Sequence, residues 1–136
     1  MKIGTPKEVF ESENRVAMTP DSARQLQKLG YDCLIESGAG ASAGFSDALY
    51  KDAGVSVVKM AADLWSKADI IAKVRQPEPA ELRRLREGQT LISFFNPGAN
   101  EVGMESARKT GANVIAMEMV PRISRAQKMD ALSSMA

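Results

Sequence analysis

The chain has 136 residues, 44% hydrophobic and 26% charged, which suits one globular domain with a proper core and not a disordered segment. A net charge of +1 argues against a general electrostatic grip on nucleic acid or anionic lipid. There is no histidine and only one cysteine, which removes Ser-His-Asp and Cys-His catalysis, histidine-ligated zinc and an internal disulfide. Any acid–base chemistry rests on carboxylates, lysine or tyrosine. No basic-plus-apolar leader opens the chain, and no apolar run approaches the ~20 residues that span a bilayer. The expectation is a soluble, cytosolic domain without a metal.

In chain order, the short strand candidate KIGT comes first. TPDSARQLQKLG follows as a helix, with Thr19 as N-cap, Pro20 in the first turn, Ala23, Leu26 and Leu29 as its apolar positions, and Gly30 as its stop. The run YDCLIES is the next strand, and its Cys33 reads as a small buried hydrophobe. SDALYKDAG repeats the helix logic with Ser46 as cap and Gly54 as terminator. GVSVV is a strand, AADLWSKA a short helix and ADIIAKV a strand. EPAELRRLREG is a helix with Leu82 and Leu85 on one face and Gly88 at its end. TLISFF, the helix NEVGMESARKTG and the strand NVIAMEMV complete the series. The strands are mostly continuous apolar runs, as expected when both faces are covered. Their alternation with helices predicts an α/β fold: a three-layer parallel sheet, Rossmann-like or flavodoxin-like. No linker or shift in composition divides residues 1–136, so a single domain is expected.

Five segments carry groups suited to ligands. GAGASAG, Gly38 to Gly44, has its third glycine one position late for a dinucleotide fingerprint, and a flexible strand-to-helix turn is the favoured reading. Arg15 in ESENRVAMTP can meet an anionic group bidentately, but pairing with Glu11 or Glu13 is favoured on spacing. Lys73, Arg75, Gln76 and Pro77 end one strand, and Asn96 and Pro97 end the next. Polar groups at such strand ends line ligand crevices in open α/β sheets, and ordinary loop chemistry is an equal alternative. The last strand runs into VPRISRAQKMDALSS, where Arg122, Gln127 and Asp130 bring a guanidinium, an amide and a carboxylate together. That set suits ribose hydroxyls and a carboxamide, although spacing does not name the ligand.

At these residues a family resemblance emerges. KIGTPKE…ENRVAMTP, ESGAGASAGFSDALYKDAG, ADIIAKVRQP and MEMVPRISRAQKMDALSS resemble the N-terminal domain shared by alanine dehydrogenase and the proton-translocating NAD(P) transhydrogenase. The likeness covers essentially the whole chain, and the last motif is similar to the transhydrogenase α subunit. Alanine dehydrogenases hold their substrate with an early arginine, a lysine and a histidine. This chain keeps Arg15 but has Arg75 and Asn96 at the other two positions. Arginine stays charged and shuttles protons poorly.

The resemblance implies hydride transfer from NADH to NADP⁺ coupled to proton flow. NAD(H) would bind on this component and NADP(H) on a partner domain. Arg122 is then expected at the nicotinamide, Gln127 reaching across to the partner's nucleotide, and Asp130 and Ser133 at the carboxamide or ribose. It further implies a membrane domain elsewhere, a homodimer of the full component, and a peripheral position on the cytoplasmic side of the inner membrane. A Rossmann domain with the true glycine fingerprint is expected downstream, so the expectation is a fragment that is inactive alone. An amino-acid dehydrogenase domain and a non-catalytic binding or assembly module are the alternatives.

Overall fold

The structure, a computed structural model, describes residues 1–10, 12–94 and 101–116. Its strands are β1 Lys2–Thr5, β2 Asp32–Glu36, β3 Ser56–Val58, β4 Ile70–Arg75, β5 Thr90–Phe94 and β6 Asn113–Ala116. Every neighbouring pair among the described residues is parallel, in the order β3-β2-β1-β4-β5-β6. Of the two doubly wound arrangements expected, this is the Rossmann order and not the flavodoxin one.

The helices form where their caps place them. Helix α1, Pro20–Lys28, starts at Thr19, whose hydroxyl accepts from the Ser22 N–H at 3.1 Å. Ser22 Oγ in turn accepts from the Thr19 N–H at 2.9 Å, a capping box with serine in the role usually played by glutamate. Ala23 and Leu26 are buried as expected, but Leu29 is 68% exposed. It lies beyond the helix proper, and Gly30, at φ +98°, turns the chain towards β2 immediately after it. Helix α2, Asp47–Asp52, is capped by Ser46, and α3 covers Ala61–Lys67.

Helix α4 is shorter than expected, a single turn at Pro79–Leu82. Two side chains beyond it are committed elsewhere. Gln89 Nε2 donates to the carbonyls of Trp65 at 2.6 Å and Ala68 at 2.8 Å, and Arg86 Nη2 donates to Ala68 at 3.1 Å. These bonds satisfy carbonyls at the end of α3, and they tie the segment after α4 down as a turn instead of helix. Leu85 is buried without being helical. Helix α5 is Glu101–Arg108.

Two cores lie on opposite faces of the sheet. Ile3, Cys33, Ile35 and Ala72 pack with Ala23 and Leu26 of α1 and Tyr50 of α2. Leu34, Ile71 and Leu91 pack with Leu64 and Trp65 of α3 and Ala107 of α5. Neighbouring residues of one strand thus enter different cores, which is why the strands read as unbroken apolar runs. The chain crosses from one face to the other between β1 and β4. Among the described residues, no helix is long and apolar enough to cross a membrane.

Candidate functional site at the carboxyl ends of β1 and β4

Strands β1 and β4 are neighbours at the centre of the sheet, and the helices that follow them lie on opposite faces. An open α/β sheet leaves a crevice at such a point. Here the segment after β1 folds back over it and fills it with the chain's own carboxylates.

Glu8 takes the inner position. Its Oε2 accepts from the Val74 N–H at 2.8 Å, and its Oε1 accepts from the Arg75 N–H at 3.1 Å and from Lys73 Nζ at 3.0 Å. Strand β1 ends at Thr5 and the pairing of β4 with β5 shifts register between Ala72 and Arg75, and at this irregularity the carboxylate satisfies two successive amides. Lys73 also donates to the Arg75 carbonyl at 2.7 Å and faces Glu81 Oε1 at 3.6 Å. Its side chain is 1% exposed and that of Glu8 3%. Burial pushes the Glu81 carboxyl above its usual range, with Lys73 opposing.

Glu13 takes the outer position. Its Oε2 accepts from the Arg15 N–H and from Arg15 Nε, both at 2.9 Å. Its Oε1 accepts from Arg15 Nη2 and from Arg75 Nε, both at 2.8 Å. Arg15 first, then Arg75, hold the carboxyl down at about 2, although burial pushes it upwards. The Arg75 guanidinium lies 4.2 Å from the centre of the Phe10 ring, a cation–π contact. Arg15 and Arg75 remain open to solvent at 69% and 44% side-chain exposure, while Glu13 beneath them is 3% exposed.

The glycine-rich turn is arranged differently. It is a turn followed by a single 3₁₀ turn, Ala41–Ala43, as the favoured reading has it. The Gly38 N–H and the Ser37 hydroxyl both donate to the Asp47 carboxylate, at 3.0 and 2.6 Å, and these bonds lower its pKa. An amide that a phosphate would need is therefore already engaged. Gly40 has a packing role: a Cβ there would lie 2.6 Å from the Tyr50 ring, whose hydroxyl donates to the Met18 carbonyl at 2.7 Å.

The sequence-derived candidates separate clearly. Arg15 pairs with Glu13, as spacing favours, and Arg75 joins the same carboxylate. Lys73 is not a rim residue but a buried ion-pair partner. Gln76 Oε1 is buried and has no hydrogen-bond partner among the described residues. Asn96, Arg122, Gln127, Asp130 and Ser133 lie outside the described residues. Cys33 is buried, with its thiol pushed up to about 11 mainly by that burial, which makes it inert. Sequence reasoning missed Glu8 and Glu81. The available signal was Lys73 itself, a cation inside an apolar strand that needs an anion to be buried at all.

A family model described as the N-terminal domain of alanine dehydrogenase/PNT matches residues 4–136. The protein "NAD(P) transhydrogenase subunit alpha" of Cereibacter sphaeroides is 66% identical over 136 residues, which are 100% of this chain and 26% of that protein. Among solved structures, a transhydrogenase from Sinorhizobium meliloti matches with a TM-score of 0.85 at 37% identity, over 93% of this chain and 38% of that one. An L-alanine dehydrogenase matches with a TM-score of 0.84 at 38% identity, over 92% of this chain and 34% of that one. The chain thus spans well under half the length of each of these relatives.

Proposed function

The chain belongs to the alanine dehydrogenase/PNT N-terminal domain family, and from that premise we propose that it is the N-terminal part of the NAD(H)-binding component of a proton-translocating transhydrogenase. The observation that carries this choice within the family is Arg75. It stands where the resemblance places a lysine in the amino-acid dehydrogenases, with its Nε bonded to Glu13 and its guanidinium stacked on Phe10. A permanently charged, doubly held guanidinium has no proton to exchange. Hydride transfer between two nicotinamides needs none, and this supports the transhydrogenase reading over the dehydrogenase one.

In this reading NAD(H) and NADP(H) are the two substrates, and the protein sets distance, orientation and exclusion of water. Arg122 contacts the nicotinamide region, Asp130 and Ser133 hold the carboxamide or ribose, and Gln127 reaches to the nucleotide on the partner. The Gly38–Gly44 turn does not suit the pyrophosphate, because Asp47 already takes the Gly38 amide. The phosphates therefore belong to a following Rossmann domain. The partners are an NADP(H)-binding domain and a membrane domain, with the full component a homodimer on the cytoplasmic face of the membrane.

The test is an assay of the full-length chain. Combined with its NADP(H)-binding component, it should transfer hydride from NADH to NADP⁺. It should not oxidise NADH with pyruvate and ammonia. In the same assay Gln127→Asn should lower the transfer rate and leave NADH affinity nearly unchanged. Pyruvate-dependent oxidation without nucleotide-to-nucleotide transfer would overturn the reading.

A further inference from the structure

Helix α4 is anchored by an acid. Within Pro79–Leu82 the buried residue is Glu81, while Pro79 and Ala80 are exposed and Leu82 is half-buried. The flanking Glu78, Arg83 and Arg84 are exposed as well. The Glu81 side chain reaches the buried pair of Lys73, from β4, and Glu8, from the segment after β1. Those two are the charged side chains that act on it from the elements packed against it, and within its own turn the Glu78 N–H donates to its Oε1 at 2.9 Å. The two carboxylates are not equivalent. Glu8 accepts from two backbone N–H groups and from Lys73 at 3.0 Å, whereas Glu81 faces Lys73 at 3.6 Å. One cation does not neutralise two buried carboxylates, so a proton is bound by the one with the weaker donors, which is Glu81. Burial raises its titration, and Lys73 opposes that only in part.

We infer that α4 is a pH-sensitive latch, held against the Lys73–Glu8 pair while Glu81 carries a proton and released as Glu81 ionises. An ionised Glu81 places two carboxylates beside one ammonium in a space almost without water, and turning outward into solvent relieves that charge. Leu82 is only half-buried and adds little to hold the turn in place. Buried Pro77 before the turn and buried Leu85 after it bound the movement. The released carboxyl titrates near 4.5 and the latched one above it. Opening therefore grows as pH rises above 4.5, by about tenfold per pH unit for a single proton, and levels off once the latched form ionises as well. The latch belongs to this domain's own fold, so it stands or falls separately from the hydride-transfer reading.

The experiment follows amide hydrogen exchange by mass spectrometry in the full-length protein across pH, corrected for the intrinsic exchange of unfolded peptide. In the native protein, protection of the peptide carrying α4 should fall above pH 4.5 and then level off, while the peptide carrying α1 stays level. Glu81→Gln keeps an oxygen for the Glu78 N–H but has no proton to lose, so its α4 peptide should stay protected throughout. Infrared difference spectra of native against Glu81→Gln protein should show one protonated carboxyl above pH 4.5 that the variant lacks. The inference is overturned by α4 protection that does not change with pH in the native protein, by the same loss of protection in Glu81→Gln, or by the absence of that carboxyl band.

Discussion

Glu8 and Glu13 belong to one loop and make opposite kinds of ion pair. Glu8 meets a lysine whose side chain is 1% exposed, and it also bonds the backbone amides of Val74 and Arg75. Glu13 meets two arginines that reach into solvent. The inner pair bridges the irregularity in β4 and closes the core. The outer group organises a rim. The difference shows that an ion pair's role follows from where its cation stands and not from its distance, since both sets of bonds lie near 3 Å. Burial decides whether losing a partner strands a charge or merely returns it to water.

The sharpest way to break this comparison is Lys73→Met. It leaves Glu8 and Glu81 buried without their cation, and loss of one partner of a buried pair costs about 3–5 kcal/mol. Urea unfolding should show that loss, and Lys73→Met combined with Glu8→Gln should be more stable than the single variant because the stranded charge is gone. A loss below about 1 kcal/mol would make the inner pair equivalent to a surface one.

Acid titration separates the carboxylates by sign. Glu13 titrates near 2 when folded, well below the usual 4.5, so its contribution is complete above 4.5 and fades as pH falls towards 2. Glu81 is raised, so its contribution is complete below 4.5 and is lost as pH rises through its higher folded value. Unfolding measured across pH should therefore show the deficit of Glu13→Gln shrinking below pH 4.5, while Glu81→Gln gains on the native protein above it. Parallel pH profiles for the two variants would remove the distinction.

The smallest effect belongs to Arg15→Ala. The side chain is 69% exposed, so the stability loss should stay within about 1 kcal/mol despite the loss of two side-chain bonds to Glu13. A larger loss would mean that the rim supports the core after all.

Much of the scaffold was legible. Thr19, Pro20 and Gly30 bracket α1, Ser46 and Gly54 bracket α2, and every expected strand forms. Caps and stops work through hydrogen bonds three or four residues away, so a local reading captures them. The site was less legible because its partners are remote in sequence. Glu8 and Lys73 are 65 residues apart, and Arg75 and Glu13 are 62. Helix α4 misled for the same reason: its leucine spacing is helical, but Arg86 and Gln89 answer to carbonyls of α3.

The sequence by itself determined the parallel α/β class, most helix boundaries, the absence of histidine chemistry and the family motifs, because each is written in neighbouring residues or in residue types. Tertiary structure alone decided the Rossmann strand order, the burial of Lys73, and the filling of both anion-ready positions by Asp47 and Glu13. Charge in a sequence is only a potential. The fold sets which opposite charge reaches it and how much water remains between them, and those two quantities fix whether a side chain supports the core or faces a ligand.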